Sequence, residues 1–81
     1  MMIHLAFFAR IAEICGTSER TIALDPAANI AMVWDTLEQE FPALQAMRPS
    51  TRAAVNGSLV SFEHRLAADD EVAFLPPVGG G

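Results

Sequence analysis

The residues best suited to chemistry stand at the end of the chain, where Pro76-Pro77-Val78 precedes three glycines, Gly79, Gly80 and Gly81. Glycine has no Cβ, so this segment can thread a narrow channel and present a carboxylate that no side chain shields. A free carboxylate is a poor acyl donor, but its anhydride with AMP is open to attack by a sulfur nucleophile. The prolines favour a stiff, extended backbone, and the residues beyond them reach at most roughly 13 to 14 Å. The ending predicts a tail whose carboxylate other enzymes activate, and a frayed terminus is the plainer interpretation.

The other side chains that could react or bind a metal are scattered along the sequence, and structural roles are favoured for them. His4 and His64 lie sixty positions apart and lack a neighbouring nucleophile or a third ligand, so they are expected at the surface. Cys15 could accept sulfur as a persulfide, but its apolar helical spacing favours a buried structural thiol. The acids 69–71 lack the glycine and spacing of a calcium loop, which favours a solvated turn. No metal site is predicted.

Composition limits the classes of function. The chain has 81 residues, of which 52% are hydrophobic, and this suffices for one core in one domain. Its formal net charge of −5 argues against sequence-independent binding of nucleic acid. No apolar run reaches the roughly 18 to 20 residues of a membrane span, and a lone cysteine fits the cytoplasm. So short a chain is not expected to be catalytic alone, and a carrier or a binding module is favoured.

The elements that must position the tail follow from hydrophobic periodicity. A strand over residues 2–9 and a single-turn helix over 10–16 precede a second strand at 21–24. Asn29 is a candidate N-cap for the only substantial helix, which Pro42 ends. Asn56-Gly57 predicts a two-residue type I′ hairpin between strands, and a last strand covers residues 71–75. The core stripe of the helix comprises Ile30, Val33, Trp34, Leu37 and Phe41.

This order of elements predicts an α+β fold of the β-grasp type, with a mixed sheet of four to five strands packed on one main helix. Residues 1–75 form the domain and residues 76–81 a flexible tail. Strand alternation directs Ile3, Leu5, Phe7, Val72 and Phe74 towards the helix. It leaves the large apolar side chains of Phe8, Leu59 and Leu75 on the opposite face. They form either a partner surface or scattered exposed residues.

These segments together resemble a known family. Residues 53–60 around Asn56-Gly57, the acidic turn before Val72, and the ending Phe74-Leu75-Pro76-Pro77-Val78 with Gly80-Gly81 are similar to the small, sulfur-carrier subunit of molybdopterin synthase. The opening Phe7-Phe8-Ala9-Arg10 and Glu13 resemble it too, so the resemblance covers nearly the whole chain. Two positions depart from the family. Gly79 replaces a small non-glycine residue, and Leu75 stands where an aromatic is common.

The resemblance implies a ubiquitin-like β-grasp protein that takes part in a reaction cycle. A ubiquitin-activating-like adenylyltransferase uses ATP to adenylate Gly81, and a sulfur donor enzyme converts it to a thiocarboxylate. The tail, Val78, Gly79, Gly80 and Gly81, then enters the large catalytic subunit, where sulfur passes to cyclic pyranopterin monophosphate. Two small and two large subunits form a heterotetramer, with no tightly bound cofactor on the carrier. The family's partner contacts fall on Phe8, Leu59, Leu75, Pro76 and Pro77.

Three further hypotheses remain open. The chain could carry sulfur for thiamine or another pathway, although Pro76-Pro77-Val78 and Asn56-Gly57 favour molybdopterin. It could be a ubiquitin-like modifier that joins its Gly81 to a target. It could also be a β-grasp binding module with an inert tail. The chain has no lysine, so a modifier of this sequence could not form chains through its own lysines.

Overall fold

The alternating apolar segments assemble into one five-stranded mixed sheet in the order β2-β1-β5-β3-β4. The computed structural model describes residues 1–77. β1 pairs with β2 antiparallel and with β5 parallel, and β3 lies antiparallel to both β5 and β4. The predicted β-grasp architecture is confirmed, with five strands. The elements are β1 (Met2–Phe7), α1 (Ala9–Cys15), β2 (Glu19–Ala23), α2 (Ile30–Glu40), a 3₁₀ helix (Pro42–Ser50), β3 (Arg52–Val55), β4 (Ser58–Val60) and β5 (Glu71–Leu75).

Helix α2 covers one face of this sheet and builds the core. Asn29 caps it as predicted, because its side-chain oxygen accepts a hydrogen bond from the Met32 N–H at 3.0 Å. The ring of Trp34 meets that of Phe74 edge to face at a centroid distance of 5.0 Å, which joins helix to sheet. The stripe residues Ile30, Val33, Trp34 and Leu37 are buried against Ile3, Leu5, Phe7, Val72 and Phe74, and Phe41 is half-buried.

The hairpin between β3 and β4 has the predicted turn and register. Asn56 and Gly57 both take positive φ angles, 49° and 87°, which a type I′ turn requires. Ala54 pairs with Leu59 and Val55 with Ser58. Ala53 and Val55 therefore face the core, while Leu59 points to the other side of the sheet.

The predicted boundaries of two strands need correction. β1 ends at Phe7 rather than residue 9, because Ala9 adopts a φ of 50° and turns the chain into α1. Gly16, with a φ of 74°, ends α1 as expected. β2 begins earlier than predicted, at Glu19, because antiparallel pairing with Ala6 extends it beyond its apolar residues.

Helix α2 is the one main helix predicted for residues 1–77, but the 3₁₀ helix that follows it was not predicted. Helix α2 ends at Glu40, and a nine-residue 3₁₀ helix follows with Pro42 in its first turn and Pro49 inside it. Proline is tolerated in the first turn, where its missing N–H is not needed. Leu44 anchors this helix in the core, and the Arg48 guanidinium lies 3.5 Å from the centre of the Phe62 ring. The helix carries the chain to the start of β3.

Candidate functional site

The side of the sheet opposite α2, here called the outward face, has no helix of residues 1–77 packed on it. Strand pairing orders its side chains into rows that cross the sheet. In the row nearest the tail Leu75 pairs with Arg52, and Phe8 directly follows the Phe7–Phe74 pair of the neighbouring strands. The next row holds Glu19, Ala6, Ala73, Ala54 and Leu59, and the third holds Thr21, His4, Glu71 and Asn56. Apolar character is thus concentrated at the end of the sheet from which the tail leaves.

Phe8 reaches this face through its backbone conformation. It has extended angles, φ −130° and ψ 154°, so it continues the alternation of β1 and points away from buried Phe7. Its side chain is 46% exposed. Ala9, immediately after it, takes the left-handed region that a non-glycine residue rarely adopts. That turn ends the strand and places Phe8 at the junction with α1.

Leu59 is placed by the hairpin turn. The two-residue loop at Asn56-Gly57 sets it opposite Ala54, with its side chain on the outward face. It is 62% exposed, although burial of a leucine side chain away from water is energetically favourable. Ala54, beside it on the same face, is buried, which alternation alone did not predict.

The root of the tail lies beside Arg52. Leu75, the last residue of β5, pairs with Arg52 and is half-buried, as is Pro76, while Pro77 is exposed. A cleft of about 510 Å³ opens at this corner. Its walls comprise Pro49, Ser50, Thr51, Arg52, Leu59 and Pro77. The predicted contact residues Leu59 and Pro77 thus line one cleft, and Arg52 in that cleft was not predicted.

The predicted chemical residues Val78, Gly79, Gly80 and Gly81 lie outside the described residues. The site as described is therefore the surface that leads to them.

The acidic turn proves to hold the fold together at the opposite end of the face. Asp70 accepts hydrogen bonds from the Ala67 N–H at 2.8 Å and from the Asn56 side-chain amide at 3.0 Å. These bonds to the Ala67 backbone and then to Asn56 hold the pKa of the Asp70 carboxyl below its ordinary value. Asn56 also accepts a bond from the Glu71 N–H at 3.0 Å. Asp70 thus ties the hairpin turn to the start of β5, a role that its sequence neighbours do not reveal.

The remaining candidates stay apart. His4 and His64 are both exposed as predicted, and the nearest acid to His4 is Asp69 at 3.9 Å. Cys15 is half-buried, and burial raises the pKa of its thiol, which disfavours the reactive thiolate. Within residues 1–77, no three His, Cys, Asp or Glu side chains are grouped to hold a metal ion. No helix in this part of the chain is long and apolar enough to cross a membrane.

Comparison with known proteins supports one family. The model of the ThiS family matches residues 5–81. The molybdopterin synthase sulfur carrier subunit of Escherichia coli is 41% identical over 81 residues, covering 99% of this chain and all of that protein. A chain in a complex of subunits 1 and 2 of the molybdopterin-converting factor from Helicobacter pylori is 27% identical, with a TM-score of 0.68 and full coverage of both chains.

A crystal structure of small archaeal modifier protein 1 from Haloferax volcanii is also similar, with a TM-score of 0.83 and 27% identity. The alignment covers 95% of this chain and 98% of that one. The same fold therefore occurs in proteins named as carriers and in proteins named as modifiers. The family model spans nearly all of the chain, and the chain belongs to the ThiS family.

Proposed function

We propose that this protein is the sulfur carrier subunit of molybdopterin synthase and acts in molybdenum cofactor biosynthesis. Its similarity over the full length of the Escherichia coli carrier supports this assignment. The observation that carries it is the exposed apolar end of the outward face, where Phe8 and Leu59 flank the strand that leads to a terminal triglycine. Such a surface fits a partner that must receive the tail and hold its root.

The chemistry belongs to the carboxylate of Gly81. Attack of this carboxylate on the α-phosphate of ATP forms an acyl adenylate and releases pyrophosphate. A persulfide sulfur then displaces AMP at the carbonyl carbon, and reductive cleavage of the sulfur–sulfur bond by a thiol leaves the thiocarboxylate. In this cycle the carrier supplies the acyl group. Adenylation and sulfur supply are therefore tasks of an activating enzyme and a sulfur donor enzyme in the cytoplasm.

The partner that consumes the sulfur is the large catalytic subunit. The tail enters it, and the thiocarboxylate sulfur attacks cyclic pyranopterin monophosphate. Water then hydrolyses the bond between the acyl carbon and sulfur, which leaves the sulfur on the acceptor and regenerates the carboxylate for another cycle. Phe8, Leu59, Leu75, Pro76 and Pro77 form the contact surface around the tail root. Two copies of each subunit make a heterotetramer. The complex of two such subunits from Helicobacter pylori supports this pairing.

The direct test is the intact mass of the protein after incubation with ATP, the activating enzyme and a persulfide source, with the tail fragments sequenced. We expect a gain equal to one exchange of oxygen for sulfur at Gly81. A variant that lacks Gly80 and Gly81 is the control, and it must show no gain while its melting temperature is unchanged. No gain in the full chain with several activating enzymes would leave an inert binding module as the better description.

A second candidate, the protein modifier, is favoured by the similarity to small archaeal modifier protein 1. The same mass measurement separates the two functions, because a modifier gains the mass of a whole target protein. Carriage of sulfur to thiamine is tested by supplying the thiocarboxylate form with each candidate acceptor. Product formed only with cyclic pyranopterin monophosphate and the large subunit supports the first assignment.

A further inference from the structure

Arg52 differs from three of the other four arginines in its surroundings. Arg10 forms an ion pair with Glu13 at 3.0 Å, and Arg20 forms one with Glu40 at 2.6 Å. Arg48 lies over the ring of Phe62. Arg52 is exposed on the outward face, and it takes part in none of the ion pairs among residues 1–77. Its guanidinium therefore remains available to a partner.

The position of Arg52 places this charge at the functional end of the molecule. It pairs with Leu75, the last residue before the tail, and it lines the same cleft as Leu59 and Pro77. The other charged side chains in the rows of the outward face are acidic, Glu19 and Glu71, and they lie in rows farther from the tail. Arg52 thus places a positive charge among the apolar side chains beside the tail root, whereas the acidic side chains lie in the second and third rows.

We propose that Arg52 binds a carboxylate of the large subunit beside the point where the tail enters it, and so determines how the two subunits align. This inference rests on the proposed function, and it adds a polar contact to a surface otherwise described by apolar residues. The chemistry fits the position, because a guanidinium forms two parallel hydrogen bonds with a carboxylate in a fixed plane. An apolar surface such as Leu59 and Leu75 tolerates sliding, whereas a bidentate pair fixes one alignment.

Water determines the free-energy cost of an unpaired Arg52. In the free carrier the guanidinium of Arg52 is hydrated, so it costs nothing to leave it unpaired. In the complex, the apolar surface around it excludes water, and an Arg52 without an acidic group opposite it would oppose binding. The large subunit must therefore offer a carboxylate at this point if Arg52 lies inside the interface. Charge complementarity of this kind contributes mainly to specificity and to the rate of association.

The test is the affinity of the large subunit for carriers altered at this position, measured by calorimetry at two salt concentrations. We expect Arg52→Ala to weaken binding about tenfold and Arg52→Glu at least a hundredfold, with a smaller salt dependence than the unaltered carrier shows. Arg52→Lys keeps the charge but loses the bidentate geometry, and it should fall between the unaltered carrier and Arg52→Ala. Arg65→Glu makes the same change in net charge at an exposed arginine outside the rows of the outward face, and it should bind within about twofold of the unaltered carrier.

The outcomes separate this inference from the proposed function. If the unaltered carrier binds and transfers sulfur but Arg52→Ala and Arg52→Glu bind as tightly as it does, the carboxylate contact is refuted and the function stands. If the unaltered carrier does not bind the large subunit, both fail. If Arg52→Glu weakens binding only to the activating enzyme, the contact belongs to another partner and this proposal is wrong. Recovery of Arg52→Glu binding by one acidic-to-arginine change in the large subunit would identify the carboxylate.

Discussion

Substitution of Leu59 tests whether the outward face binds the large subunit. Its side chain is 62% exposed in the free chain, so Leu59→Arg should leave the free energy of unfolding nearly unchanged. A charge placed in a dry interface costs much more, and we expect affinity for the large subunit to fall at least about thirtyfold. Met32→Arg is the matched control, since Met32 is 52% exposed on α2. Equal binding by the Leu59 and Met32 variants would remove Leu59 from the interface.

Asp70 is expected to contribute to the pH dependence of stability, because its pKa is lowered in the folded chain. Because its native pKa lies below that of the unfolded chain, its contribution is complete above the unfolded value and is lost as the pH falls through the native value. Asp70→Asn should therefore lower the free energy of unfolding at pH 7 and reduce its decline below about pH 5. Urea denaturation across the acid range measures both effects. Asp35→Asn, at an exposed position on α2, serves as the control, and identical acid profiles for the two variants would contradict the assigned role.

At the scale of elements, the N-cap of α2 is a local interaction that stabilises the first turn of the helix. The bond from the Met32 N–H to Asn29 satisfies one of the free donors of the first turn. Asn29→Ala should cost about 1 kcal/mol of unfolding free energy, while Asn29→Asp should retain most of it. Thermal or chemical denaturation monitored by circular dichroism measures the difference. An alanine variant as stable as the asparagine form would show that tertiary packing alone holds this end of α2.

At the scale of the whole molecule, one core should produce one unfolding transition. The buried hydrophobic residues among those described lie between Ile3 and Phe74, and Trp34 is fully enclosed among them. Fluorescence of Trp34 and the far-ultraviolet circular dichroism signal should therefore change at the same denaturant concentration. Removal of residues 78–81 should leave that midpoint in place while it abolishes sulfur transfer. Separate transitions for the two signals, or a lower midpoint after truncation, would contradict a core confined to residues 3–74.

Short sequence patterns were sufficient to predict several structural features of this protein. The Asn56-Gly57 pair determined the hairpin and, through it, the outward direction of Leu59, because a two-residue turn leaves only one register. Asn29 and the apolar stripe that follows it defined α2, since capping and helical spacing act within a few residues. The terminal glycines indicated acyl chemistry without any knowledge of the fold.

Features that depend on contacts between residues far apart in the sequence could not be predicted from short sequence patterns. The parallel pairing of β1 with β5 brings the end of β1 beside the end of β5, and the pairing of β3 with β5 brings Arg52 beside the tail root. The bond from Asn56 to Asp70 spans fourteen positions, and the 3₁₀ helix is held by burial of Leu44 in the core. The sequence by itself determined the hairpin turn, the caps at Asn29 and Gly16 and the faces of β1, β3 and β5, because these follow from interactions between near neighbours. Only the tertiary structure decided which charged and polar groups meet on the outward face, because that depends on the order in which strands from the whole chain pack together.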